Sequence, residues 1–197
     1  MKKLSPLLLL SVLFASPAQS SILTFDDIPG GSIQFGYGDM PTYQGFAFSS
    51  TLDWIDLIGS SWNFGAHSGD FALLNNHGGV GTITSTDSSD FSFDGLWAKQ
   101  WGKTPQSGGP ASLVGTIQGL NNGIEVWSIN TALNGSYQFI AGQTLRIDEL
   151  KLGLGNHFLV DDLALNQPSI SVPEPSTLLL LSLGFLGLGL AKSRRSV

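Results

Sequence analysis

Two tryptophans and a lysine stand at alternate positions, Trp97, Lys99 and Trp101. Alternate residues of an extended strand share one face. Flat indole rings on such a face can stack on sugar rings, and an ammonium between them can meet hydroxyl or uronate oxygens. The two phenylalanines just upstream create a conflict. If Phe91 and Phe93 face a core, strict alternation carries Trp97, Lys99 and Trp101 inward as well, burying an ammonium at a cost of roughly several kcal/mol. A bulge at Asp94-Gly95 removes the conflict by turning Leu96 and Ala98 inward and leaving the three outside. A structural role competes for the same rings, in which the tryptophans cap the sheet under a loop over 103–110. Trp54, Trp62 and Trp127 read as core or rim aromatics.

Residues suited to catalysis form no constellation. His67, His77 and His157 lack the HExxH spacing that sets two metal ligands on one helical face, and no G-x-S-x-G elbow occurs. A glycosidase needs two carboxylates facing one cleft, yet no three acids stand at i, i+2 and i+4. Asp148 and Glu149 are adjacent, so a regular strand points them to opposite faces. His67, Ser68 and Asp70 lie on one turn, which cannot set three groups in relay geometry. The expectation is a non-catalytic protein, with a glycan-active enzyme as the third reading after the two given below.

The elements that must position these residues are strands. Short apolar-alternating runs recur at 22–25, 46–48, 71–74, 82–84, 91–93, 113–117, 126–129, 145–152 and 158–165, separated by Gly, Asn, Asp and Ser. No run keeps a helical period. The expected fold class is all-β, a two-sheet jelly-roll sandwich over 21–167, followed by a linker at 168–172. Within 21–170 only Lys99, Lys103, Arg146 and Lys151 face fourteen acids, a net of −10. That excludes nucleic acid as a partner, because phosphate binding needs clustered Lys and Arg. The chain has no cysteine, which excludes disulfides and thiolate chemistry. The core must hold itself or recruit a metal.

Both ends carry export signals. Lys2 and Lys3, an apolar run over 7–15 broken only by Ser11, and small residues around Ala18-Gln19-Ser20 read as a signal peptide over 1–20. Signal peptidase would cut after Ser20, with Ala18 as the alternative. Near the other end, 176–191 is uncharged and Leu-rich, about 24 Å long as a helix against a hydrocarbon core of roughly 30 Å. It reads as a single transmembrane helix. Lys192, Arg194 and Arg195 follow as a basic stop-transfer cluster that stays in the cytoplasm, leaving the acidic body outside. Ahead of the helix, Pro173, Glu174 and Pro175 hold an extended segment that presents a carboxylate at the membrane interface. These three parts, in this order over 173–197, resemble the PEP-CTERM sorting signal. The resemblance implies recognition and cleavage by an exosortase in a Gram-negative bacterium that makes exopolysaccharide. Anchoring in the inner membrane would then be transient, and the body would end at the cell surface or outside the cell.

The body resembles the jelly-roll modules of carbohydrate-binding and adhesion proteins in three places. These are Thr24-Phe25-Asp26-Asp27, then 66–73 around His67-Ser68-Gly69-Asp70, then 158–165 with Asp161-Asp162. The resemblance implies that the first and last strands lie close together. It also implies a structural Ca²⁺ held by Asp26 and Asp161, completed by backbone carbonyls near Ser68 and Gly69, with Asp27 and Asp162 on the opposite side as second-choice ligands. Hard oxygen ligands suit Ca²⁺. Two functions follow: a surface or matrix protein associated with exopolysaccharide or biofilm, and a lectin-like module with a defined glycan on Trp97, Lys99 and Trp101.

Overall fold

In a computed structural model of the chain, the described residues are 19–28, 36–58, 65–101, 113–155 and 157–167. Nearly all of the signal region, Trp62, the 103–110 loop, the linker at 168–172, and the sorting motif, helix and basic cluster over 173–197 lie outside them. Twelve strands and no helix are described: β1 Gln19–Leu23, β2 Tyr37–Asp39, β3 Phe46–Phe48, β4 Asp53–Asp56, β5 Phe71–Asn75, β6 Gly81–Ser85, β7 Phe91–Gln100, β8 Leu113–Asn121, β9 Ile124–Leu133, β10 Gln138–Ile147, β11 Glu149–Gly153 and β12 Phe158–Gln167. Among these residues, no helix is long and apolar enough to cross a membrane.

The strands form two antiparallel sheets, as expected of an all-β sandwich. The seven-stranded sheet runs β10-β7-β12-β5-β4-β2, and the five-stranded sheet runs β3-β6-β11-β8-β9. From β2 onward the chain passes repeatedly between the sheets, which is a jelly-roll winding. β1 pairs with the C-terminal half of β12, from Leu23 opposite Leu163 to Gln19 opposite Gln167, so first and last strands are neighbours. Because β1 begins at Gln19, a cut after Ala18 leaves it whole and a cut after Ser20 removes its first two residues. Contacts group Ala18–Pro168 as one compact unit. Both sheets and every buried residue named here belong to it, so it holds every element its fold needs.

The main core lies between the sheets. Phe25, Phe46, Phe91, Phe93, Ile83, Ile117, Leu150, Leu152, Phe158, Leu163 and Leu165 are buried in it. A second, smaller apolar cluster, Ile55, Leu57, Ala72, Leu74 and Leu159, covers the opposite face of the seven-stranded sheet. That sheet is thus buried on both faces over β4, β5 and part of β12. This explains why β4, Asp53-Trp54-Ile55-Asp56, is buried along its whole length. Burial raises the pKa of Asp53, and His77 Nε2, 3.0 Å from its carboxylate, works against that shift.

The bulge expected at Asp94-Gly95 is present and has a counterpart on β12. Phe91, Phe93, Leu96 and Ala98 all enter the main core, so β7 changes face at Asp94-Gly95. β12 changes face at the same level: Phe158 and Val160 point inward before Asp161-Asp162, and Leu163 and Leu165 after it. The register between the strands slips there and recovers, with Asp161 opposite Trp97, Ala164 opposite Gly95 and Leu165 opposite Phe93. Gly95 with φ of 141° and Asp162 with φ of 45° are the residues that absorb the change. The run expected over 145–152 is two strands. Ile147 pairs with Phe91 in one sheet and Glu149 with Thr84 in the other. Between them Asp148 takes the amide hydrogen of Asn122 on its carboxylate, at 2.7 Å. Asp148 and Glu149 therefore do not sit on one regular strand at all.

Candidate functional site

The outer face of the seven-stranded sheet gathers most of the residues singled out from sequence. Trp97 and Trp101 are half-buried there, and Lys99 is buried at 1% exposure. The Lys99 ammonium lies 5.4 Å from the centre of the Tyr137 ring, and burial pushes its pKa down. Lys99 is thus on the expected face but out of reach of a sugar. Trp101 joins the smaller apolar cluster, and its indole N–H donates to Asn76 Oδ1 at 3.0 Å. Trp54 and Trp127 are buried, as read from sequence.

The aromatic residue that sequence reasoning missed is Phe139. It stands opposite Trp97 in the β10–β7 register, is 56% exposed, and meets the indole at 5.5 Å with a tilt of 53°. Its ring lies over Gly95, where any Cβ would come within 2.8 Å of the ring. On the other side of Trp97, the His67 imidazole stacks at 4.0 Å with an interplanar angle of 15°. The outer face therefore carries a row of three rings, Phe139, Trp97 and His67, from edge strand to covering turn. The signal in the sequence is Tyr137-Gln138-Phe139, aromatic alternation directly after the Asn134-Gly135-Ser136 turn.

Acidic residues fix the far end of the row. Asp161 is fully buried, and its Oδ2 accepts the amide hydrogens of His67 at 2.8 Å and Ser68 at 2.9 Å. Its Oδ1 accepts that of Asp162 at 2.7 Å. Asp162 takes His67 Nδ1 at 2.6 Å on one oxygen and the Ser68 hydroxyl at 2.7 Å on the other. Asp26 accepts the amide hydrogens of Asp70 and Phe71, at 2.8 and 3.1 Å, and lies so close to Gly69 that a Cβ there would overlap its carboxylate. Asp27 accepts the Tyr43 hydroxyl, and Tyr43 is pushed up to about 12, first by burial and then by that acceptor. Burial also raises Asp161 to about 7, with the neighbouring Asp162 charge adding to the shift and the three amides opposing it. Tyr137 is raised too, chiefly by burial and then by the two carboxylates.

Asp26, Asp161, Ser68 and Gly69, the residues the resemblance groups, thus meet at one turn, and Asp162 joins them. Two details differ from the resemblance. Asp162 does not alternate to the opposite side, because its positive φ swings it toward the same turn as Asp161. The turn also aims amide hydrogens at Asp161 and Asp26, whereas the expectation was carbonyl oxygens. The hard oxygens of Asp26, Asp161 and Asp162, one of them on a buried carboxylate with a raised pKa, fit a divalent cation in chemistry. The amides of His67, Ser68, Asp70 and Phe71 already occupy part of the same oxygens. Among the described residues, no group of three or more His, Cys, Asp or Glu is set to hold a metal.

Residues 171–195 match the family model of the PEP-CTERM protein-sorting motif. The chain therefore carries a PEP-CTERM sorting signal, which implies export, processing by an exosortase and a cell-surface or extracellular location. No curated protein matches the sequence. The fold is similar to the N-terminal tandem CBM22-1-CBM22-2 domain of Paenibacillus barcinonensis Xyn10C, at 13% identity and a TM-score of 0.45, over 83% of this chain and 50% of that one. The chain thus spans about half the length of that structure. It is also similar to TmCBM61, solved with β-1,4-galactotriose, at 12% identity and a TM-score of 0.35, over 68% of this chain and 93% of that one. A third similar structure is the C-terminal family 22 carbohydrate-binding module of Clostridium thermocellum Xyn10B, at 8% identity and a TM-score of 0.34, over 66% and 90%.

Proposed function

We propose that this is an exported, non-catalytic protein of the cell surface or extracellular matrix that holds a polysaccharide on the ring row of its seven-stranded sheet. The exposed Phe139 ring, seated over Gly95 and backed by Trp97 and His67, carries this reading. An aromatic ring fixed in place presents a large apolar face with little rotamer entropy left to lose on binding. The ring row replaces Trp97, Lys99 and Trp101 as the binding surface, with Trp97 as its support. A glycan array probed with the 18–168 unit tests it. Saturable binding is expected, with affinity at least about tenfold weaker in Phe139→Ala. Absence of binding to any glycan, or binding indifferent to Phe139→Ala, removes the reading.

The C-terminal helix holds the chain in the inner membrane after signal peptidase has acted, and exosortase then cuts near Pro173-Glu174-Pro175 and ends the anchoring in an exopolysaccharide-producing cell. In a host with an exosortase, Glu174→Ala accumulates as a full-length membrane form. Mass spectrometry that finds an intact C-terminus in the processed wild-type protein overturns this. A structural Ca²⁺ at Asp26 and Asp161, with Asp162 beside them, belongs to the same proposal; it would add positive charge to the turn at the end of the ring row.

A further inference from the structure

A cavity of about 560 Å³ opens where the chain crosses from the seven-stranded to the five-stranded sheet. β10 carries the chain away from Phe139 to Ile147, roughly 25 Å along the strand, and the cavity begins at the next residue, Asp148. It therefore lies well apart from the ring row. Thr84, Ser85, Ser88, Asn122, Asp148 and Glu149 line it. Thr84 near the end of β6 stands opposite Glu149 at the start of β11. The tip of the β8–β9 hairpin is tied to the crossing, because Asn122 donates its amide hydrogen to the Asp148 carboxylate at 2.7 Å and Asp148 donates its own to the Leu120 carbonyl at 2.9 Å. The turn after β6 is tied by Asp87, whose carboxylate accepts the Ser85 hydroxyl at 2.5 Å and the Ser89 amide hydrogen at 2.9 Å. These bonds set the walls in advance, so little ordering entropy remains to be lost on binding.

We propose that this cavity is a second glycan site, one that holds a neutral sugar residue by hydrogen bonds rather than by stacking. Among the described residues that line it none is aromatic, and the lining is hydroxyl, amide and carboxylate. A sugar hydroxyl both donates and accepts, so it can meet all three. Both carboxylates already have one partner: Asp148 takes the Asn122 amide, and Glu149 Oε2 lies 3.8 Å from the Lys151 ammonium. A carboxylate has two oxygens and can still accept a hydroxyl, in a charge-assisted bond stronger than one between neutral groups. Lys151 offsets one of the two charges, which removes the pull on a cation, and the other repels a uronate. The volume falls within the roughly 300–1,000 Å³ of small-ligand sites. The site stands without the ring row; with it, one copy of the protein joins two polysaccharide chains, and only that consequence rests on the function proposed above.

Amide NMR spectra of the 18–168 unit test this, titrated with methyl β-glucoside, methyl β-galactoside, methyl α-mannoside and galacturonate. At least one neutral glycoside is expected to shift the amides of Thr84, Asn122, Asp148 and Glu149 and to saturate with a dissociation constant of about 1 mM. Galacturonate should bind at least about tenfold more weakly. Glu149→Ala is expected to weaken the neutral glycoside about tenfold and Thr84→Val about threefold, the worth of a charge-assisted and a neutral hydrogen bond. Both variants should keep the wild-type spectrum away from the cavity, which separates lost binding from lost folding. Phe139→Ala should leave the cavity shifts as they are. The proposal is overturned if no neutral glycoside moves the cavity amides, if those shifts survive both Glu149→Ala and Thr84→Val unchanged, or if galacturonate binds most tightly. In any of these cases, array binding that requires Phe139 leaves the proposed function standing. Cavity shifts alongside array binding indifferent to Phe139→Ala keep this site and end that reading.

Discussion

Replacing Asp161 with alanine lowers the melting midpoint of the 18–168 unit by about 10 °C at pH 5 in EGTA. The side chain is fully buried and accepts three amide hydrogens, those of His67, Ser68 and Asp162. A buried donor left without its acceptor costs about 1–3 kcal/mol, and partial hydration of an opened turn brings the total to about 3–4 kcal/mol. At about 2–4 °C per kcal/mol for a domain of this size, that is the stated shift. The loss also frees the turn that stacks His67 on Trp97, so near-ultraviolet circular dichroism of the tryptophans changes with it. A variant that melts with the wild type would show that the turn is not held by this carboxylate.

The same residue sets a pH dependence. Burial raises the folded pKa of Asp161 to about 7, above the ordinary carboxylate value of 3.8. The folded state therefore binds this proton more tightly than the unfolded state does. Its contribution is fully present below about pH 3.8 and is lost as the pH rises through about 7. In metal-free buffer the wild type is expected to lose stability from pH 5 to pH 8 by an amount that Asp161→Ala does not, so the gap between the two narrows in base. A gap that widens over this range reverses the sign of the argument. Calcium acts on the same balance. A bound ion stabilises only the folded state, by about 2.7 kcal/mol at a hundredfold excess over its dissociation constant. Millimolar Ca²⁺ should then raise the wild-type midpoint over that in EGTA, and an Asp26→Asn, Asp161→Asn double variant should not respond. An unchanged wild-type midpoint removes the ion.

What was legible in the sequence follows from how each residue constrains its strand. The bulge at Asp94-Gly95 was legible because Phe91, Phe93 and Lys99 make incompatible demands on a regular pleat. Its partner at Asp161-Asp162 was not, because two adjacent aspartates look like ordinary alternation until one takes a positive φ. The two-sheet architecture and the pairing of first with last strand show through apolar alternation and the resemblance. β4 is not among the expected runs because Asp53 and Asp56 bracket its two apolar residues, and nothing local announces a second apolar cluster over the sheet. Lys99 was placed on the correct face, but the sequence does not reveal that Tyr137 and the turn around His67 close over that face. Phe139 was passed over because β10 is an edge strand with weak alternation, and its importance comes from Gly95, more than forty residues away.

Gly142→Ala should uncouple the site from the fold without touching any ring. Gly142 lies in β10 against the bulge of β7, where an added Cβ would overlap the Phe93 carbonyl oxygen and the Asp94 backbone. A side chain in that position could rotate away; backbone in a hydrogen-bonded strand cannot. β10 is the edge of its sheet and pairs there with β7 alone, so it is the element that yields. Overpacking costs about 1–3 kcal/mol and more where backbone must move, which predicts a midpoint lower by about 10 °C. Displacing β10 also breaks the register that sets Phe139 opposite Trp97 and Ala141 opposite Gly95. Glycan affinity is therefore expected to fall as far as in Phe139→Ala, although the phenyl ring is still present. Gly123→Ala is the control. Its φ of 75° makes alanine costly by about 1 kcal/mol, but no atom lies within 4 Å of the new Cβ, and it sits at the tip of the β8–β9 hairpin. That variant should lose some stability and keep its glycan affinity. If Gly142→Ala keeps wild-type affinity while its midpoint falls, Phe139 binds sugar wherever β10 carries it, and its seat on Gly95 is not what prepares the ring.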